Sequence, residues 1–142
     1  MARVTIELPE QFAFSTELDV RITDINYGNH LGNDALLGLL HEARVRFLAA
    51  LGFSEFDCGG CGIIMCDAAI VYLAQARYGQ TLVCDVAVQE PTRISCEIVY
   101  RMRDKVNNAE VARAKTGIVF FDYAQGKIAR MPAAFREKLP LV

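Results

Sequence analysis

The stretch TDINYGNHLGND, residues 23–34, places two Asp, three Asn, one His and two Gly in twelve positions of a chain that is 53% apolar. Carboxylates and an imidazole can carry protons, Asn amides both donate and accept hydrogen bonds, and glycine lets a ligand approach the backbone closely. Asp24, Asn26, His30, Gly32 and Asn33 are therefore the first candidates for chemistry, although an Asn can equally cap a helix and a loop His can bond backbone. Two carboxylates further along join them. Glu42 lies in a helical pattern, four residues before Arg46, with which a plain surface ion pair would also form. Asp67 is the only charge in the run IIMCDAAIVYLA. Burial there would raise its pKa toward that of a useful base, unless it ends a strand or bonds a Tyr or Arg.

The elements that would position these groups follow from periodicity. LDVRIT, 18–23, alternates like a half-buried strand. Asn33 and Asp34 are good N-cap types, and ALLGLLHEARVRFLAAL carries helix formers as far as Gly52, a suitable C-terminal glycine. Leu36, Leu39, Leu40, Ala43, Phe47, Ala50 and Leu51 make the apolar face of this helix. Ala35, Gly38, Glu42 and Ala49 fall within about 60° of arc on another side. Such small residues leave a shallow groove, with Glu42 as its carboxylate. After the loop GFSEFDCGGCG come the runs IIMCDAAIVYLA, TLVCDVAVQ, RISCEIVYRMR and EVARAKTGIVFF, with DKVNN as the clearest hairpin turn and PAAFREKL as a short terminal helix. One strand, one long helix and a meander of about four strands predict an α+β domain, a single unit over 1–142, with the helix packed on an antiparallel sheet.

Composition excludes several classes. Fifteen Lys and Arg against seventeen Asp and Glu, a net charge of −2, leave no basic patch for nucleic acid. No apolar run approaches the ~20 residues of a membrane span, and MARVTIELPEQ is unlike a signal peptide, so a cytoplasmic protein is expected. Five Cys is an odd number, which favours free thiols, and Cys66, Cys84 and Cys96 read as small core residues. Cys58 and Cys61 form a CxxC, but no second ligand pair follows at zinc spacing and a strand rather than a helix succeeds it. A loop is the expected reading, and neither metal nor cofactor is signalled.

Thr23 to Asn33 with the helix after it resembles the signature of the hotdog-fold acyl-CoA thioesterases, the 4-hydroxybenzoyl-CoA thioesterase-like superfamily. Members often read D-x-D-x-x-G-H-V-N-N, then about eight helical residues, then E-x-A-R. Here the frame holds Asp24, Ile25, Asn26, Tyr27, Gly28, Asn29, His30, Leu31, Gly32 and Asn33, with Glu42, Ala43 and Arg44 in the E-A-R place. IVYLAQARYGQTLVCDVAV and ARAKTGIVFFD are similar to later strands of the family, so the resemblance covers roughly residues 15–131. It implies a helix wrapped by a curved sheet of about five strands, protomers joined as dimers or dimers of dimers, and an active site at the subunit interface.

The resemblance further implies hydrolysis of an acyl-CoA. Free N–H groups at a helix N-terminus would hold the oxyanion, with Gly32 and Asn33 as donors and Tyr27 and Gly38 as further substrate contacts. The family's frequent catalytic Asp is the second D of D-x-D, and this chain has Asn26 there, which cannot act as a base. Glu42 is the expected base or nucleophile and Asp67 the second candidate, with His30 orienting the site or coupled to Asp24. Apolar groove walls suggest a medium-length or aromatic, uncharged acyl group, and Arg77, Arg113 and Lys115 stand as candidate contacts to CoA phosphates or as solvated strand charges. The rival readings are a non-catalytic acyl-CoA or acyl-carrier-protein binder, a hotdog enoyl hydratase or dehydratase, and a thiol redox protein.

Overall fold

The chain is seen in a computed structural model that describes residues 1–139. Its elements run β1 (Phe14–Asp19), a 3-10 turn (Ile22–Asp24), α1 (Asn33–Ala50), β2 (Gly62–Tyr72), β3 (Thr81–Gln89), β4 (Ser95–Asp104), β5 (Glu110–Asp122), β6 (Lys127–Ile128) and α2 (Ala133–Lys138). The strands form one antiparallel sheet in the order β1-β3-β4-β5-β2, with the two-residue β6 added on β5. This is the α+β arrangement expected, with six strands in place of about five.

Helix α1 buries Leu36, Leu39, Leu40, Ala43, Phe47 and Leu48 against the inward residues Leu82, Cys84 and Val86 of β3, Ile98, Tyr100 and Met102 of β4, and Ala114, Ile118 and Phe120 of β5. Each fully buried Leu or Phe stabilises this packing by about 1.5–3 kcal/mol. Ala50, expected in the core, is exposed because the helix ends there. That end is a Schellman motif: Phe53 N–H donates to Leu48 O at 2.8 Å and Gly52 N–H to Ala49 O at 2.9 Å, with Gly52 at φ +88°.

Three expectations need correction. The first strand is Phe14–Asp19 rather than 18–23, because the Asp24 carboxylate accepts the Arg21 N–H at 2.8 Å and winds the chain into a 3-10 turn. Cys66 is exposed, unlike the buried Cys84 and Cys96, since β2 is an edge strand with a register shift between Met65 and Asp67. Asp67 is exposed for the same reason rather than buried among apolar residues, and its Oδ1 accepts the Gly117 N–H at 3.1 Å. The outer face of the sheet is not bare either. The N-terminal segment crosses it, with Ile6 buried, Ile6 O accepting from Arg113 at 3.3 Å and the Phe12 ring under Arg101 at 4.9 Å.

Candidate active site

The polar stretch folds into a self-bonded loop ahead of α1. Asn26 N–H donates to His30 O at 2.9 Å, Asn29 N–H to Asn26 O at 3.0 Å, and the Asn26 side-chain oxygen accepts the Gly28 N–H at 2.9 Å. Asn29, with no role from the sequence, takes the left-handed position of this turn at φ 65°, which Asn tolerates. Leu31 N–H ties the loop to Ala76 O at 2.7 Å. Tyr27 stands at the tip, fully exposed.

Asp24 is buried, and both its oxygens are held by Arg21, whose Nε and Nη2 donate at 3.2 and 3.1 Å. Burial alone would raise its pKa, but the Arg21 hydrogen bonds and charge outweigh that and hold the carboxyl below its ordinary value. An ion that firmly held neither couples to His30 nor serves as a base. Among the described residues no carboxylate bonds the His30 side chain.

The helix start also differs in detail. Gly32, not Asn33, is the N-cap, and its N–H already donates to Asp24 O at 2.9 Å, so it is not an oxyanion donor. Asn33 is the first helical residue, and its side-chain oxygen accepts the Asp34 N–H at 3.0 Å. The Asn33 N–H has no acceptor among the described residues, and it keeps the direction and dipole that suit an oxyanion.

Glu42 projects from the outward face of α1 beside Gly38, where a methyl group would meet nothing within 4 Å. A cavity of about 260 Å³ lies here, lined by Glu17, Asp19, Arg21, Gly38, Glu42 and Arg46 among others. Arg46 approaches Glu42 only to 3.6 Å, because its Nη1 donates to Thr16 Oγ1 at 2.9 Å and Glu17 O at 2.8 Å. The Glu42 carboxylate is thus near a cation yet free of hydrogen bonds from the described residues, which leaves its oxygens open to a water or a carbonyl. Arg21, unremarked in the sequence, lines this cavity while holding Asp24 and so connects the loop to Glu42. Asp67 lines neither this cavity nor its neighbour.

That neighbour, about 390 Å³, lies between α1 and β2 on the other side of Gly38 and is lined by Leu37, Gly38, Leu40, His41, Arg44, Met65, Ala68 and Thr116. Behind it runs a polar chain that the sequence did not disclose. Arg44, buried, donates from Nε to Glu55 Oε1 at 3.0 Å and from Nη1 to Tyr100 Oη at 3.2 Å. His41 Nε2 reaches the same Glu55 oxygen at 3.1 Å, and Tyr100 Oη bonds Thr116 Oγ1 at 3.0 Å. The available signal was Arg44 itself, a charge on the apolar arc between Leu40 and Phe47.

The CxxC holds free thiols, and burial pushes Cys58 up to about 12 and raises Cys61 as well, opposite to the depressed value of a redox thiol. Arg113 and Lys115 are bound to Glu110 at 2.7 Å and Glu97 at 3.2 Å. Among the described residues no His, Cys, Asp and Glu group could hold a metal ion, and no helix is long and apolar enough to cross a membrane.

Comparison with known proteins agrees with this architecture. A Synechocystis sp. protein, sll0410, which its name assigns provisionally to the esterases, is 29% identical over 117 residues, 80% of this chain and 70% of that one. The crystal structure of Slr0204, a 1,4-dihydroxy-2-naphthoyl-CoA thioesterase from Synechocystis, superposes with a TM-score of 0.81 at 20% identity, covering 89% of this chain and 94% of that one. The BH1999 gentisyl-coenzyme A thioesterase gives 0.79 at 16% identity, over 89% and 100%. The helix wrapped by a curved antiparallel sheet is therefore the hotdog fold. The family model of the thioesterase-like superfamily matches residues 20–139, and to that superfamily the chain belongs.

Proposed function

We propose that this protein hydrolyses acyl-CoA thioesters, with Glu42 as general base or nucleophile. The observation that carries the reading is the Glu42 carboxylate, free of hydrogen bonds from the described residues, facing an open cavity beside the bare Gly38 of a thioesterase-like fold. As base, Glu42 takes a proton from water while the oxygen attacks the thioester carbon. The C–S bond then breaks, and the CoA thiolate leaves and is protonated. As nucleophile, it would form an anhydride that water opens.

The Asn33 N–H is the oxyanion donor of this reading, and nine residues of helix separate it from Glu42, roughly 13 Å along the axis. One carbonyl cannot touch both groups of a single protomer. A pair of protomers answers this if one subunit supplies the helix N-terminus and the other the carboxylate. The edge strand β2, with Met65, Cys66, Asp67 and Ala68 exposed, is where sheets of two copies would join. A medium-length or aromatic acyl group matches the apolar lining near Gly38, and Arg77 remains for the CoA phosphates.

Release of CoA thiol from acyl-CoAs of graded length tests the reading on the wild type, Glu42→Gln and Asp67→Asn. Glu42→Gln should lower turnover about a hundredfold or more while leaving the fold intact. A loss confined to Asp67→Asn moves the base to β2. No release from any ester favours the binding reading, since Asn26 in the usual acid position commits its side-chain oxygen to Gly28. The hydratase reading has no His30–carboxylate pair among the described residues to support it.

A further inference from the structure

The cavity between α1 and β2 is apolar at its rim and polar at its back, and two of its polar groups are buried yet incompletely used. Arg44 is 7% exposed and Thr116 3%. Tyr100 Oη accepts from Arg44 Nη1, and Thr116 Oγ1 is the one acceptor for the phenol hydrogen among the described residues, so the pair is satisfied with Tyr100 donating to Thr116. Thr116 then accepts there and keeps its own hydrogen. No acceptor for it is found among the described residues, and Thr116 lines the cavity. Arg44 Nη2 likewise has no acceptor among the described residues, and since among them no fully buried side-chain nitrogen or oxygen lacks a partner, Nη2 keeps some exposure, on a residue that lines the cavity.

The cavity therefore presents two donors without acceptors among the described residues, the Thr116 hydroxyl and Arg44 Nη2. Its charge is already balanced, because the Glu55 carboxylate sits 3.0 Å from Arg44 Nε. A ligand carboxylate would meet Glu55 as well as Arg44, whereas a neutral oxygen accepts from Thr116 and Nη2 without that repulsion.

Gly38 lines both cavities. On the helical wheel Glu42 lies about 40° to one side of it and Arg44 about 120° to the other, a path of roughly 10–15 Å over the helix surface. At Gly38 that path meets no side chain. An aromatic ring on the thioester is too short to cover it, and a medium-length aliphatic chain is not.

Building on the hydrolase reading, we infer that the α1–β2 cavity is the far end of the acyl site and selects medium-length acyl chains carrying a neutral hydroxyl or keto oxygen near their end, recognised by Thr116 and Arg44.

The test compares kcat/KM for ω-hydroxydecanoyl-CoA, decanoyl-CoA and the ω-carboxylate decanedioyl-CoA in the wild type, Thr116→Val and Thr116→Ser. The wild type should prefer the hydroxy ester over the plain one by roughly five- to tenfold, the worth of one neutral hydrogen bond, and should not prefer the carboxylate. Thr116→Val should lower that ratio roughly threefold or more, leaving only what Arg44 supplies, and Thr116→Ser should keep it. Each ratio is internal to one variant, so a general loss of activity does not disturb it. A wild-type ratio at or below one, a preference for the carboxylate, or a ratio that survives Thr116→Val overturns the inference. If Thr116→Val does not fold, Gly38→Leu decides: it should impair the hydroxydecanoyl ester at least tenfold more than butyryl-CoA, and equal impairment counts against the path. If no ester releases thiol, the hydrolase reading falls, while calorimetric Kd values for the hydroxy and plain esters still decide the pocket.

Discussion

Arg21 closes on Asp24 three times over, with its backbone N–H at 2.8 Å and its guanidinium at 3.1 and 3.2 Å. The contact makes Asp24 the fastener of the polar loop: the same residue's carbonyl accepts the Gly32 N–H at 2.9 Å, so the loop is pinned at both ends before α1 begins. Asp24→Ala should therefore act on stability, costing about 1–3 kcal/mol at neutral pH in chemical denaturation. Because the folded carboxyl is held below its ordinary value, its contribution is fully present above the unfolded pKa of about 3.9 and is lost as pH falls through the lower folded value. The gap between wild type and variant should narrow below about pH 4. A pH-independent gap, or a variant of normal stability without turnover, would return Asp24 to the chemistry.

Gly38 is a helix-interior glycine with open space where a Cβ would stand. On backbone grounds alone Gly38→Ala should stabilise the protein by about 0.5–1 kcal/mol. If substrate lies across this point, the same methyl group should lower kcat/KM. A thermal melt and a thiol-release assay on one variant read both effects. Higher stability with undiminished kcat/KM would take Gly38 off the substrate path.

Local pattern made most of the fold legible. The apolar positions from Leu36 to Phe47 and the glycine at 52 mark α1, and DKVNN marks the β4–β5 turn, where Asp104 Oδ1 accepts the Val106 and Asn107 N–H groups at 2.8 and 3.0 Å. The end of β1 was hidden because a side-chain bond, not alternation, breaks the chain at Arg21. Asp67 is exposed where the apolar run suggests burial, because a bulge on an edge strand frees it. Within the site, Glu42 and Gly38 were readable, since one helix sets their relation. Arg44 and Tyr100 are 56 positions apart and Glu55 comes from a loop, so only the packing of α1 on the sheet joins them.

That chain has an energetic consequence. Removing Arg44 leaves the Glu55 carboxylate without its closest cation and the Tyr100 hydroxyl without a donor in the interior. Arg44→Ala should cost about 2–4 kcal/mol, and Glu55→Gln, at a partly exposed position, distinctly less. A double-mutant cycle between the two should show coupling, measured by denaturant midpoints. Additive effects would mean that Arg44 is held by packing of its stem alone.

The thiols give the last test, because burial separates five otherwise equal groups. Burial pushes Cys58 and Cys96 up to about 12 and Cys84 higher still, so at pH 8 roughly one molecule in ten thousand carries a thiolate at such a site. Cys61 is half-buried and raised, and Cys66 is exposed on the edge of β2. A disulfide reagent added to the native protein should show one fast phase that Cys66→Ser removes, with all five thiols reacting only after denaturation. Assembly through β2 would cover Cys66, so the fast phase should shrink as protein concentration rises. A fast phase abolished by Cys61→Ser instead would show that the CxxC is activated after all.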